Sequence, residues 1–156
     1  MKGATHLSAG IITGMIFTAA TQQSEGLSAT MIATCGIMAL FPDIDKPSST
    51  IGRRVPFFSI PASIAGHRTI FHAPTPYIAL YLFLLFQFPS CFYWATAGLL
   101  GILSHLFLDM LNPAGIPLLF PFTTKRYRIA GFRSGGLADW VIGITMLSII
   151  AIKIWM

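Results

Sequence analysis

The sequence predicts an all-α, polytopic membrane protein of about five helices in a single domain, residues 1–156, and three observations carry that expectation. Lys, Arg, Asp and Glu make up only 10% of the 156 residues, where a soluble domain carries about 25%. Hydrophobic residues reach 54%, with 13 phenylalanines, so no soluble surface can be assembled from the remainder. The apolar residues also fall in stretches that match, or nearly match, the roughly 17–25 residues a helix needs to cross a bilayer core of about 30 Å. The wealth of aromatic residues excludes a disordered chain, and two cysteines cannot build a disulfide scaffold.

The spans follow in order. Residues 3–20 form the first. Lys2 ahead of an apolar run ending Thr18-Ala19-Ala20 loosely resembles a signal peptide, but the run is glycine-rich, contains His6 and lacks a good cleavage site. Residues 26–42 form the second span after a short turn at 21–25. The third, 74–88, is short, and the fourth, 90–111, follows it across Pro89. One helix from 76 to 111 would run about 54 Å, too long for a single crossing, so a hairpin is expected. Residues 136–156 form the fifth.

Five crossings sort the chain to two sides. Met1, the segment 43–73 and the segment 112–135 share one side, and the C-terminus lies on the other. Lys2, Lys46, Arg53, Arg54, Arg68, Lys125, Arg126, Arg128 and Arg133 fall on the first side, and only Lys153 on the second. That asymmetry predicts a cytoplasmic N-terminus and an external C-terminus in a bacterial or archaeal inner membrane. The net charge of +5 therefore belongs to one membrane face. It suits anionic headgroups, so membrane lipid is the expected partner and nucleic acid is not. The stretches 57–61 and 116–122 are apolar and broken by proline, and are expected to lie in the interface. Cys35 and Cys91 lie at different depths and read as packing residues.

The scarce polar residues follow the same parity. Glu25 sits in the opposite turn, but His6, Asp43, Asp45, His67, His72, His105, Asp109 and Asp139 all map to the basic side. Ionisable groups in membrane spans are expensive and mark functional sites. The spacing His105-x-x-x-Asp109 puts both side chains on one helical face, where they can share a cation or form a pair that staples helices. Pro42-Asp43-Ile44-Asp45 offers two carboxylates on an extended stretch at a helix C-terminus. Negative charge is unfavourable there, so a compensating cation is expected, either a metal ion or Lys46, Arg53 or Arg54. His67-Arg68-Thr69-Ile70-Phe71-His72 adds two imidazoles and a guanidinium. His6 alone reads as a packing histidine, and Asp139 alone as a carboxylate at a helix start.

Together the four histidines and four aspartates match zinc or another divalent transition ion. Manganese is an alternative. About three protein ligands suffice for a catalytic zinc, so two sites are expected. Paired ions clamp phosphoesters for in-line attack by an activated water. Arg68, with Arg53, Arg54 or Arg133, could hold the phosphate bidentately, and Asp45 or Asp139 could accept a proton.

At these positions the chain resembles the YdjM/YbcI family of bacterial and archaeal inner-membrane proteins, described as metal-dependent hydrolases. The matching pieces are Thr5-His6, Phe41-Pro42-Asp43-Ile44-Asp45, Gly52-Arg53-Arg54, Gly66-His67-Arg68-Thr69 with His72, and His105-x-x-x-Asp109 followed by Asn112-Pro113 and Gly115. They run in order along nearly the whole chain. The family is held to be distantly related to zinc-dependent phospholipase C and the P1-type nucleases. The resemblance therefore implies a multinuclear zinc site and phosphoester hydrolysis, with ligands His6, Asp43, Asp45, His67, His72, His105 and Asp109. Two departures, Phe71 and Ala73 around His72 where the family commonly has Thr and Ser, and Asn112 where Thr is frequent, each remove a hydroxyl. The expected activity is hydrolysis of a phospholipid or lipid phosphate. The rivals are a divalent-cation transporter, which needs polar groups at mid-membrane depth, and a membrane subunit with a closed structural metal site.

Overall fold

The computed structural model describes residues 1–57, 59, 60 and 69–155. Five α-helices stand out among them: α1 (Gly3–Thr21), α2 (Glu25–Met38), α3 (Pro74–Gln87), α4 (Phe92–Met110) and α5 (Leu137–Trp155). Tight 3₁₀ turns occupy Phe41–Asp45, Gly52–Arg54, Ile70–His72 and Pro89–Cys91. Among the described residues the only extended pairing is one antiparallel bridge between Ile116 and Tyr127. The all-helical, polytopic expectation holds.

Four stretches are long and apolar enough to cross a membrane: Gly3–Thr21, Glu25–Asp45, Pro89–Met110 and Leu137–Trp155. The short third span stays short. Pro74 opens α3 and Pro89 lies just past its end, and proline both starts helices readily and stops them from continuing. The 14 residues of α3 reach about 21 Å. The hairpin between α3 and α4 is real: the Tyr81 hydroxyl lies 3.2 Å from Thr96 Oγ1, and the Cys91 thiol faces the Leu84 carbonyl at 3.8 Å.

Helices α1, α2 and α4 pack against one another, with α3 against α4 and α5 against α1. Lipid gives helices little hydrophobic reason to associate, so close backbone approach through small residues must supply the contact. A Cβ added at Gly10 would sit 2.7 Å from the Cys35 carbonyl oxygen, and one at Gly101 would collide with the same oxygen. Cys35 is thus gripped between α1 and α4, a free and buried packing residue, and Cys91 is free as well. The outer faces carry exposed Ile16, Leu82, Phe83, Ile144 and Leu147. Of α5 only Asp139 is buried.

The expected parity appears directly in the contacts. His6 near the start of α1 meets Asp109 at the end of α4. His105 reaches Ala39 just past α2, His72 just before α3 meets Asp109, and Lys2 meets Asp139 at the start of α5. All five helices therefore bring one end to the same place.

Candidate metal centre

His105 anchors the centre. It lies on the inner face of α4 with no exposed surface, and its Nδ1 is 2.8 Å from the Ala39 carbonyl oxygen. A carbonyl can only accept, so Nδ1 carries the hydrogen and Nε2 keeps its lone pair. That lone pair enters a cluster of buried groups. The His6 ring stacks on the His105 ring, centroids 3.8 Å apart and 18° from parallel. The His72 ring meets it edge-on at 5.4 Å.

Carboxylates complete the cluster. Asp109, one turn after His105, sends Oδ1 to within 3.5 Å of His6 Nε2, and Oδ2 to within 3.5 Å of His72 Nε2 and 3.8 Å of His105 Nε2. Its Oδ1 also receives the α-amino group of Met1 at 3.0 Å. Asp43 Oδ1 stands 3.8 Å from His72 Nε2, and Asp45 Oδ2 stands 3.5 Å from the opposite ring nitrogen, Nδ1. The aspartate pair does not lie on an extended stretch, as expected from sequence. Pro42 starts a fresh 3₁₀ turn over Phe41–Asp45, in which alternate side chains diverge, so the two carboxylates reach His72 from two sides. Among the described residues, the group that meets both carboxylates at this helix end is the His72 imidazole. Burial pushes the His72 pKa down, but hydrogen bonding and charge from Asp109 and Asp45 outweigh it and hold the ring above its ordinary value. Carboxylates around His72 Nε2 favour a cation there, whether proton or metal ion.

The residues present fit a divalent ion. Separations of 3.5–3.8 Å exceed a good hydrogen bond but approach the edge of a zinc tetrahedron, about 3.4 Å for bonds of 2.0–2.1 Å. Both ring nitrogens of His6 and Nε2 of His105 are buried with no hydrogen bond among the described residues. An orphaned buried polar atom costs about 1–3 kcal/mol, which a metal bond would offset. Two sets converge with all ligand atoms within 4.8 Å of one another: His6, His105 and Asp109, and Asp43, His72 and His105.

The remaining expected residues fall elsewhere. His67 and Arg68 lie outside the described residues. Arg53, Arg54 and Arg133 are exposed and make no ion pair with the cluster among the described residues. Asp45 sits behind His72 rather than in either converging set. Asp139 is committed to fastening α5. Its Oδ1 accepts from Thr5 Oγ1 at 2.7 Å, and its Oδ2 from the Lys2 and Gly135 amides at 3.0 and 2.7 Å. Lys2 Nζ lies over the Trp140 ring at 3.8 Å. Asp139→Asn is expected to cost about 1.5–3 kcal/mol of stability through these charge-assisted bonds. Thermal unfolding in detergent would shift down while metal content stays at the parent's level.

Sequence reasoning missed Ala39, whose carbonyl is 66 positions from His105, and the Met1 amino group. No motif announces a backbone acceptor. The one available signal was Thr5, adjacent to His6, whose hydroxyl holds Asp139.

Comparisons with known proteins agree with the geometry's setting. The profile of the family described as YdjM inner membrane protein matches residues 1–155. The Bacillus subtilis (strain 168) protein YvsG is 33% identical over 155 residues, covering 95% of this chain and 92% of that protein. The inner membrane proteins YdjM of Escherichia coli (strain K12) and Shigella flexneri are each 40% identical over 95 residues, 58% of this chain and 46% of theirs. The match thus spans under half the length of those two relatives. No solved structure matches.

Proposed function

We propose that this chain, which belongs to the YdjM inner membrane protein family, is a membrane-embedded, metal-dependent phosphoesterase acting on lipid phosphates at the cytoplasmic face. The observation that carries this reading is the fixed tautomer of His105, whose free Nε2 converges with His6, His72, Asp43 and Asp109 in a buried pocket of donors. A histidine that only packed would not need a backbone carbonyl to turn its lone pair into a nest of carboxylates.

His6, His105 and Asp109 would hold one divalent ion, and Asp43, His72 and His105 form the other converging set; zinc suits this imidazole and carboxylate chemistry, and manganese is the alternative. When bound, such ions supply Lewis-acid activation of a water and of a phosphoryl oxygen. Asp45 orients His72 by facing its Nδ1 and turning Nε2 inward. Arg68, four residues before His72 in the chain, is assigned to the phosphate, and the exposed Arg53, Arg54 and Arg133 to the anionic headgroup surface. Asp45, beside His72, is assigned as the proton acceptor, and the oxygens of Asp139 hold α5. Among the described residues, eight of the nine Lys and Arg residues belong to the segments at the site's end of the bundle, which supports a cytoplasmic site with the C-terminus outside.

The test is chelation. Purified protein is expected to release phosphate from phosphatidic acid, to lose that activity with a chelator and to regain it with zinc or manganese. Phosphate release that survives full metal removal, or none in any metal, would defeat the reading.

A further inference from the structure

We infer that the hairpin formed by residues 113–133 is a docking surface for anionic lipid headgroups. Lys125, Arg126 and Arg128 grip the headgroups, and Phe122 and Leu119 seat among them. This goes beyond the phosphoesterase reading and stands without it.

The hairpin is held in one shape by its own backbone. The Ile116 amide donates to the Tyr127 carbonyl at 3.0 Å, and the Tyr127 amide donates back to Ile116 at 2.8 Å. The arms come this close because Gly115 has a φ of +60°, and a Cβ added there would stand 2.6 Å from the Tyr127 carbonyl oxygen. The tip is pinned from within. The Phe120 amide donates to Pro117 and the Thr123 amide to Leu119, both at 3.2 Å, and the Lys125 amide donates to Thr123 Oγ1 at 3.1 Å. On this frame Phe122 is 90% exposed and Leu119 49%. Exposed apolar groups clustered in this way mark a contact surface.

Depth selects lipid as the occupant. The stretch Pro89–Met110 is long and apolar enough to cross a membrane, and the returning arm of the hairpin is bonded to its end. The Ile129 amide donates to the Met110 carbonyl and the Phe132 amide to the Leu111 carbonyl, each at 2.8 Å. Asn112 Nδ2 donates to Ser134 Oγ at 2.8 Å. The arm therefore lies where α4 leaves the hydrocarbon, at headgroup level. A nucleic acid or a soluble protein would have to reach this surface at a depth where lipid is already present.

Charge selects which lipid. Between Asp109 and Asp139, both buried, the chain has no acidic residue. Lys125, Arg126 and Arg128 are exposed and form no ion pair among the described residues. Arg128 Nη1 donates to the Pro113 carbonyl at 3.4 Å, and Lys125 Nζ lies 5.6 Å from the centre of the Tyr127 ring. These contacts orient the two side chains and leave their charge uncompensated. Three such cations beside exposed apolar side chains suit an anionic headgroup layer.

The test is a fluorescent label on the tip. The full chain carrying Cys91→Ser and Phe122→Cys is labelled with bimane at position 122, because Cys35 is buried, and a second preparation carries Leu119→Cys instead. Each is reconstituted in vesicles of phosphatidylcholine, with or without phosphatidylglycerol. Phosphatidylglycerol is expected to shift the emission to the blue and to raise several-fold the quenching by a lipid that carries a nitroxide just below its headgroup. Salt at about 1 M, where the screening length is about 3 Å, should reverse both changes. Lys125→Gln, Arg126→Gln and Arg128→Gln should each weaken the preference roughly fivefold, and the triple variant should respond alike to both lipids. Equal emission and quenching in the two kinds of vesicle at both labelled positions would overturn the proposal. So would a response to phosphatidylglycerol that survives the triple substitution, or a response to added RNA alone.

Discussion

Asp109→Asn is expected to insert and purify like the parent but to lose most of its bound transition metal and at least about 100-fold in phosphate release, the upper range for disturbing even an outer-shell partner. Asp109 is where the cluster's lines cross. Its two oxygens face His6 on one side and His72 and His105 on the other, so one neutralised carboxylate removes a ligand from the His6, His105 and Asp109 set and takes negative charge away from His72. Asparagine keeps the volume and one acceptor, and α4 remains held by Gly101 against Cys35. Metal analysis with turnover on phosphatidic acid reads the result. A variant that aggregates or is degraded would instead assign the site to structure, because a metal that closes a fold contributes its binding energy to folding.

The second large effect separates two neighbouring aspartates. Asp43 and Asp45 are two residues apart, yet they face opposite nitrogens of His72. Asp43→Asn removes a ligand and is expected to abolish binding at its position. Asp45→Asn removes the carboxylate that faces His72 Nδ1 and leaves both converging ligand sets intact, and such partners are typically worth 10–100-fold in metal affinity or activity. Competition against a zinc indicator should therefore find the Asp45→Asn site weakened but present. Equal loss in both variants would make Asp45 a direct ligand, as the family resemblance implies.

Much of this was legible in the sequence. Low charge and long apolar runs predict the helical membrane fold, and parity places His6, Asp43, Asp45, His72, His105 and Asp109 at one end, where the contacts join them. The local shape at Asp43–Asp45 was not, because a proline that can end a helix can equally begin a new turn. Nor was the role of Asp139. A carboxylate at a helix start reads the same whether it faces a metal or a hydroxyl 134 positions away, and here Thr5 takes it. The Ala39 carbonyl was invisible for a plainer reason. Backbone acceptors carry no sequence signature, and the approach of α4 to α2 depends on Gly101 meeting Cys35, which only packing reveals.

The central claim is that the His/Asp cluster is a metal centre, and X-ray absorption at the zinc edge of the purified, zinc-loaded protein tests it most directly. The account predicts nitrogen and oxygen neighbours at about 2.0–2.1 Å, with the multiple scattering of at least two imidazoles and no sulfur. A shell without imidazole, or one with sulfur at about 2.3 Å from Cys35 or Cys91, would contradict it.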